Sequence, residues 1–260
     1  MKALPSYQKL WLENRDKGLN VFLFETDEGS KDDQVFAFLI ARGIDIPCYV
    51  GAPEGYKGEG QPWHVVIDVD GKVAFSGNGH CEDVIKKELA RVKYQGLGRQ
   101  TFVPELEKAA LAFSARQYTK ALEEAGKVLE KEKESAAATD AQYIIDKINA
   151  VKAQLMAKVE AGPGEKDFAG VFKALETLST GFKDTEEGKA AEAKLKELKA
   201  DKTAKKEADA QAGFIKAREA MKAVKSKTEK AKVLRDFAKK YEETKAAEDA
   251  RALAKRIEAT

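Results

Sequence analysis

The sequence predicts an α/β module followed by an all-helical region, with the change of class near residue 100. Three observations point there. Residues 1–95 hold short apolar runs of four to six residues bounded by glycine, proline and aspartate, the pattern of strands and tight turns. Beyond residue 100, alanine, lysine, glutamate and leucine dominate and apolar residues recur at helical spacing. At 260 residues the chain is long enough for two ordinary domains, placed at 1–95 and 101–260.

Within the first module, Ser6 to Lys17 predicts a helix, with Tyr7, Leu10, Trp11 and Asn14 on one face and Gly18 as its stop. Leu19 to Phe24 is a continuous apolar run and predicts a buried strand. Turn residues from Glu25 to Ser30 follow. A second helix is capped by Ser30 or Asp32, presents Val35, Phe36, Phe38, Leu39 and Ile40 to the core, and closes at Gly43. Ile46 to Val50 reads as a short extended piece. Four glycines and a proline make residues 51–61 a loop. His64 to Asp68 and Val73 to Gly77 read as strands joined by the Asp70-Gly71 hairpin turn. Cys81 to Val92 predicts an amphipathic helix with Val84, Ile85, Leu89 and Val92 inward.

Composition narrows the function. The net charge is +2, with 13 basic and 15 acidic residues in the first hundred and 33 and 29 beyond. Neither part has the one-sided field that binding to nucleic-acid phosphates requires. No run approaches the ~18 apolar residues of a membrane-spanning helix, and Met1 to Tyr7 lacks the apolar core of a signal peptide. His64 and His80 are too few for a zinc site. Asp68-Val69-Asp70-Gly71 lacks the later glutamate of a calcium loop, and residues 51–60 lack the Lys-Ser/Thr of a phosphate loop. No metal or cofactor is called for.

The order helix, strand, helix, proline loop, hairpin, helix resembles the thioredoxin superfamily, specifically its TlpA-type thiol–disulfide oxidoreductases. The matching residues are Leu4-Pro5 with Leu10, Asp16 to Val21, Thr26-Asp27-Glu28, and above all Gln61-Pro62-Trp63-His64-Val65-Val66-Ile67-Asp68-Val69-Asp70-Gly71-Lys72-Val73 up to Gly77. The resemblance spans about 90 residues. It implies that Pro62 is the family's cis-proline and that Gln61, Pro62 and Trp63 line the substrate site. A trans proline opening a strand is the other reading of Pro62. It also implies an extracytoplasmic, periplasmic setting for the complete protein, with a protein disulfide as substrate or redox partner.

The family's Cys-x-x-C belongs just before a Leu-Pro such as Leu4-Pro5, so by resemblance both cysteines and the central strand leading to them fall before Met1. The expected fold is therefore an incomplete thioredoxin-like domain without its central strand. The strands at 19–25 and 64–69 then either separate or pair directly. Cys48 and Cys81, 33 residues apart, share no motif. Each reads first as a small buried residue; Cys81, opening a helix beside His80, is the stronger candidate for a reactive thiol.

Beyond residue 100 a helix opens at Pro104-Glu105, with Ala109, Leu111, Phe113, Tyr118, Ala121, Leu122 and Leu129 at apolar spacing, and Gly162-Pro163-Gly164 breaks the helical run. Leu178, Phe182, Thr185, Ala191 and Leu198 match Phe237, Tyr241, Thr244, Ala250 and Ile257 at a constant offset of 59 residues. Val128, Ser135, Ala141 and Ile148 form a fainter third copy. Each unit reads as helix, Thr- or Ser-capped turn, helix. Such hairpins resemble tetratricopeptide-like repeats, which implies a surface for an unidentified protein partner; a spacer is the alternative. Lys199 to Glu207 is expected to be a highly exposed helix or a linker. Two functions follow as expectations: a thiol–disulfide oxidoreductase whose motif this chain lacks, or a non-catalytic binding scaffold.

Overall fold

A computed structural model describes residues 4–26, 34–35, 38–39, 44, 46–51, 63–131, 134–224 and 226–259. The molecule is mostly helical, with a small strand region that, among the described residues, is confined to the first 77. It divides into two compact units: Met1–Gln100 with Arg218–Leu234 and Ala252–Thr260, and Thr101–Ala217 with Arg235–Arg251. The units are thus discontinuous in sequence, whereas the change of secondary-structure class at residue 100 is sequential.

In the first unit, α1 (Leu4–Asn14) runs into a 3₁₀ turn (Arg15–Lys17). Gly18 closes it at φ +99°, donating its N–H to the Arg15 carbonyl, a conformation only glycine adopts cheaply. Strand β1 (Leu23–Glu25) pairs in parallel with β2 (Cys48–Val50), Phe24 opposite Tyr49. Strand β3 (His64–Ile67) pairs antiparallel with β4 (Val73–Gly77), with an irregularity after Val66. Helix α2 (Glu82–Arg91) follows. Gln34, Val35, Phe38 and Leu39 are helical; the caps expected at Ser30 or Asp32 and the stop at Gly43 lie outside the described residues, as does the loop at 52–61.

Two two-stranded sheets are present among the described residues, and no ladder joins them. Their inner faces nevertheless share one buried cluster. Val66, Cys81, Tyr7, Ile85, Val35 and Leu39 are its centre, and Val21, Leu23, Cys48 and Phe75 pack against it. Of the two outcomes expected for the strands at 19–25 and 64–69, separation is the one observed.

The expectation of a buried strand at Leu19–Phe24 needs correction. Only Leu23–Glu25 forms a ladder, and Phe22 and Phe24 are about half exposed. The run has apolar residues for two faces, but only the Val21 and Leu23 face has a core against it.

In the second unit a 3₁₀ turn (Pro104–Leu106) leads into α3 (Glu107–Ser114), α4 (Tyr118–Lys131), α5 (Ala136–Ala161), α6 (Phe168–Gly181) and α7 (Glu186–Ala200). Each of these helices packs on the next, and α3 also reaches α5. Fully buried Ala109, Ala110, Ala121, Ala125 and Ala141 let the backbones approach, while Leu106, Ile144, Ile148 and Val171 fill the seams. Leu111, read from its spacing as a core residue, points outward and is half exposed, because Ala112 takes the inward position. Helices α8 (Lys202–Lys222), α9 (Lys227–Lys240) and α10 (Lys245–Ala259) complete the chain.

The repeat at offset 59 is realised in hydrogen bonds. Thr185 donates its hydroxyl to the Phe182 carbonyl (2.8 Å) and accepts from the Gly188 N–H (3.1 Å). Thr244 does the same with the Tyr241 carbonyl (2.7 Å) and the Ala247 N–H (3.2 Å). The residues just before them, Asp184 and Glu243, both sit at positive φ, 70° and 69°. In the fainter copy, Ser135 caps α5 through the Ala138 N–H (3.1 Å).

Candidate functional site

Among the residues singled out from sequence, Trp63, Cys48 and Cys81 fall in the described part of the first unit; Gln61 and Pro62 lie outside it. Trp63 immediately precedes β3. Its indole N–H donates to the Ser76 hydroxyl on β4 at 3.1 Å, which ties the ring across the hairpin.

Cys81 occupies the N-cap position of α2, makes no capping bond through its side chain, and is only 2% exposed. Its sulfur lies 3.6 Å from the hydroxyl of buried Tyr7. The Tyr7 ring in turn lies 5.1 Å from the His64 imidazole. His64 Nδ1 donates to the Gly79 carbonyl at 3.0 Å. Burial first, then the contact with Cys81, pushes the Tyr7 phenol far above its ordinary pKa, so it stays a neutral hydroxyl. The Cys81–Tyr7–His64 row is a packed, hydrogen-bonded seam between α1, β3 and the start of α2. Sequence reasoning singled out Cys81, set His64 aside as a strand residue, and read Tyr7 only as a core residue of the first helix.

Cys48 on β2 is half-buried, and burial followed by the neighbouring Glu25 carboxylate raises its thiol pKa. Both effects disfavour the thiolate, the nucleophilic form. Both cysteines are free thiols. Among the described residues no cluster of His, Cys, Asp and Glu could hold a metal ion, and no helix is long and apolar enough to cross a membrane.

A polar clamp closes the hairpin. One Asp68 carboxylate oxygen accepts from the Asp70 N–H (2.9 Å) and the Lys72 N–H (2.8 Å), which fixes the turn around Gly71 at φ +79°. Arg91, at the end of α2, reaches Asp68 (3.7 Å), Asp70 (2.5 Å) and Glu88. The Lys72 N–H, more than Arg91, holds the Asp68 carboxyl below its ordinary pKa. Asp68 thus holds the turn with one carboxylate oxygen and meets Arg91 with the other, which explains the Asp-x-Asp-Gly spacing as turn chemistry.

In the second unit the missed residues are Glu207 and Gln211, one turn apart on α8. Buried Glu207 accepts from the Lys245 N–H at 3.1 Å, capping α10. Gln211 accepts from the Ala169 N–H (2.7 Å) and donates to the Lys166 carbonyl (2.6 Å), capping α6. The expectation of a highly exposed helix or linker at 199–207 holds except at two positions: Lys199–Thr203, Lys205 and Lys206 are exposed, while Ala204 and Glu207 are buried. The available signal was a pair of polar side chains at i, i+4 among alanines, a spacing that places both on one helix face.

Comparison with known protein families, curated proteins and solved structures returned no match to this chain.

Proposed function

We propose that residues 4–100 are the larger part of a TlpA-type, thioredoxin-like thiol–disulfide module, and that the redox Cys-x-x-C comes from a strand outside residues 1–260. On this reading Gln61, Pro62 and Trp63 lie where an extended disulfide substrate would pass. The helical region is a tetratricopeptide-like arm for a protein partner, and the complete protein works outside the cytoplasm. The observation that supports the reading is the sheet arrangement. Strands β1 and β3 share a core, yet among the described residues each ladders only with its neighbour β2 or β4. A strand leading to a Cys-x-x-C would occupy that interruption.

The chain's own thiols do not supply the chemistry. Disulfide exchange needs an accessible thiolate and a second thiol to resolve the mixed disulfide. Cys81 is sealed under Tyr7, and the pKa of Cys48 is raised. The same facts favour a second reading, a non-catalytic scaffold that keeps the module and the helical arm for binding alone.

The experiment is to read the coding sequence upstream of Met1 in frame and to weigh the protein from its native source. A strand followed by Cys-x-x-C directly upstream supports the redox reading; an in-frame stop there leaves the scaffold. Residues 1–260 alone are expected to reduce insulin disulfides no faster than dithiothreitol. Turnover above that background would assign catalysis to Cys48 or Cys81 and overturn the account of both thiols.

A further inference from the structure

Asn78 and Gly79 lie in the bend between β4 and α2, and both are exposed. An asparagine amide carbon is an electrophile, and the main-chain nitrogen of the next residue is a nucleophile within its reach. Three things ordinarily keep them apart: a helix or ladder that fixes the backbone, a hydrogen bond on that N–H, and a side chain crowding the nitrogen. Asn78-Gly79 has none of the three. Neither residue belongs to a helix or a ladder. Among the described residues the Gly79 N–H has no acceptor and the Asn78 amide has no partner. Only the Gly79 carbonyl is engaged, by His64 Nδ1 at 3.0 Å. Glycine itself leaves the nitrogen uncrowded.

Comparable positions elsewhere in the chain are protected. The Asn14 side chain, at the end of α1, donates to the Leu10 carbonyl (2.9 Å) and accepts from Lys17 (3.2 Å). Asn149 lies inside α5. Asn20 is exposed, but the β-branched side chain of Val21 follows it. Asp70-Gly71 has the same following glycine, yet its Gly71 N–H is given to the Asp68 carbonyl (3.1 Å) and its carboxylate to Arg91 (2.5 Å).

We infer that Asn78 is a site of spontaneous deamidation, a covalent modification whose only co-reactant is water. The Gly79 nitrogen attacks the Asn78 side-chain carbonyl carbon. The new N–C bond closes a five-membered succinimide, the bond to the side-chain nitrogen breaks, and ammonia leaves with the proton that Gly79 gave up. Water then opens either of the two succinimide C–N bonds. One opening returns the normal main chain as aspartate; the other routes the chain through the side-chain carbon as isoaspartate. No electrons are exchanged, so the step holds for the redox reading and for the scaffold reading alike.

The test uses the full chain, kept at about body temperature in mildly alkaline buffer and sampled over weeks. Peptide mapping by mass spectrometry reads the small gain in mass at Asn78. Methyl transfer from S-adenosylmethionine, catalysed by an added isoaspartyl methyltransferase, reads the isoaspartate. The reference is the same chain unfolded in urea. Conversion at Asn78 in the folded chain is expected within about tenfold of the unfolded rate, since not even one main-chain hydrogen bond, worth about 1 kcal/mol, has to break there. Asn14, Asn149 and Asp70 should stay unchanged in the folded chain. Gly79→Ala is the control: the added Cβ fits, its nearest neighbour being the Phe75 ring at 3.7 Å, but it crowds the nitrogen. That variant should convert several-fold more slowly than the parent. Protection of Asn78 by the fold beyond about tenfold would overturn the inference. So would equal conversion in Gly79→Ala, or aspartate formed without isoaspartate, because either result would remove the Gly79 nitrogen as the nucleophile.

Discussion

Replacing Thr244 with valine removes a hydroxyl while keeping the shape of the side chain. The hydroxyl donates to the Tyr241 carbonyl at 2.7 Å and accepts from the Ala247 N–H at 3.2 Å, and the residue is 1% exposed. Loss of a threonine cap alone costs about 1–2 kcal/mol. The Ala247 N–H keeps a second acceptor, the Thr244 main-chain carbonyl at 3.1 Å, so it is not orphaned. Thr244→Val is therefore expected to destabilise the second unit by the cap term, about 1–2 kcal/mol, at the upper end because the site is buried. Thr185, the matching residue 59 positions earlier, makes the same two bonds but is partly solvated. Water can replace its hydroxyl, so Thr185→Val should cost only about 1 kcal/mol. Thr244→Ser keeps both hydrogen bonds, loses one methyl and should cost under about 1.5 kcal/mol. Urea unfolding followed by far-ultraviolet circular dichroism, with exchange at the Ala247 amide, separates these cases. A Thr244→Val protein within about 0.5 kcal/mol of the parent, or a serine variant as damaged as the valine one, would refute the reasoning.

Gly188→Ala would gain about 1 kcal/mol on an exposed helix. Here the new Cβ falls on the Phe182 carbonyl, so a net loss of about 1–2 kcal/mol in urea unfolding is expected; a gain would contradict the packing of that turn. Glu207→Ala leaves the Lys245 N–H at the start of α10 without its buried acceptor. It should cost about 1–3 kcal/mol, with Glu207→Gln restoring most of the stability; equal loss in both variants would tie the effect to charge alone. The folded Asp68 carboxyl titrates below its unfolded value of ~4. It therefore adds stability above pH ~4 that is lost as the pH falls below that value. The stability gap between the parent and Asp68→Asn should be larger at pH 6 than at pH 3, and a gap independent of pH would dissociate Asp68 from the turn.

Much of the local structure was legible in the sequence because it depends on neighbours along the chain. Asp70-Gly71 marks the hairpin, and β4 spans Val73–Gly77 as its pattern requires. Gly18 ends the first helical stretch in the left-handed conformation that its position demands. Thr185, Thr244 and Ser135 cap helices because a hydroxyl at a turn satisfies N–H groups that the helix itself cannot. The candidate site was less legible. That Tyr7 would lie under Cys81, 74 residues away, is set by how α1 and the start of α2 meet across one core. Neither residue's local pattern encodes that meeting.

Sequence alone determined the change of class near residue 100, the hairpin, the 59-residue repeat and the absence of a Cys-x-x-C from these 260 residues. Periodicity, turn chemistry and motif spacing are properties of the chain in order, and no packing is needed to read them. Tertiary structure decided that the apolar run at 19–24 buries one face only, that Leu111 turns outward, and that Glu207 and Gln211 cap helices about 40 residues distant. Periodicity shows how many apolar faces an element has to offer. Only the elements packed against it settle how many of those faces are covered.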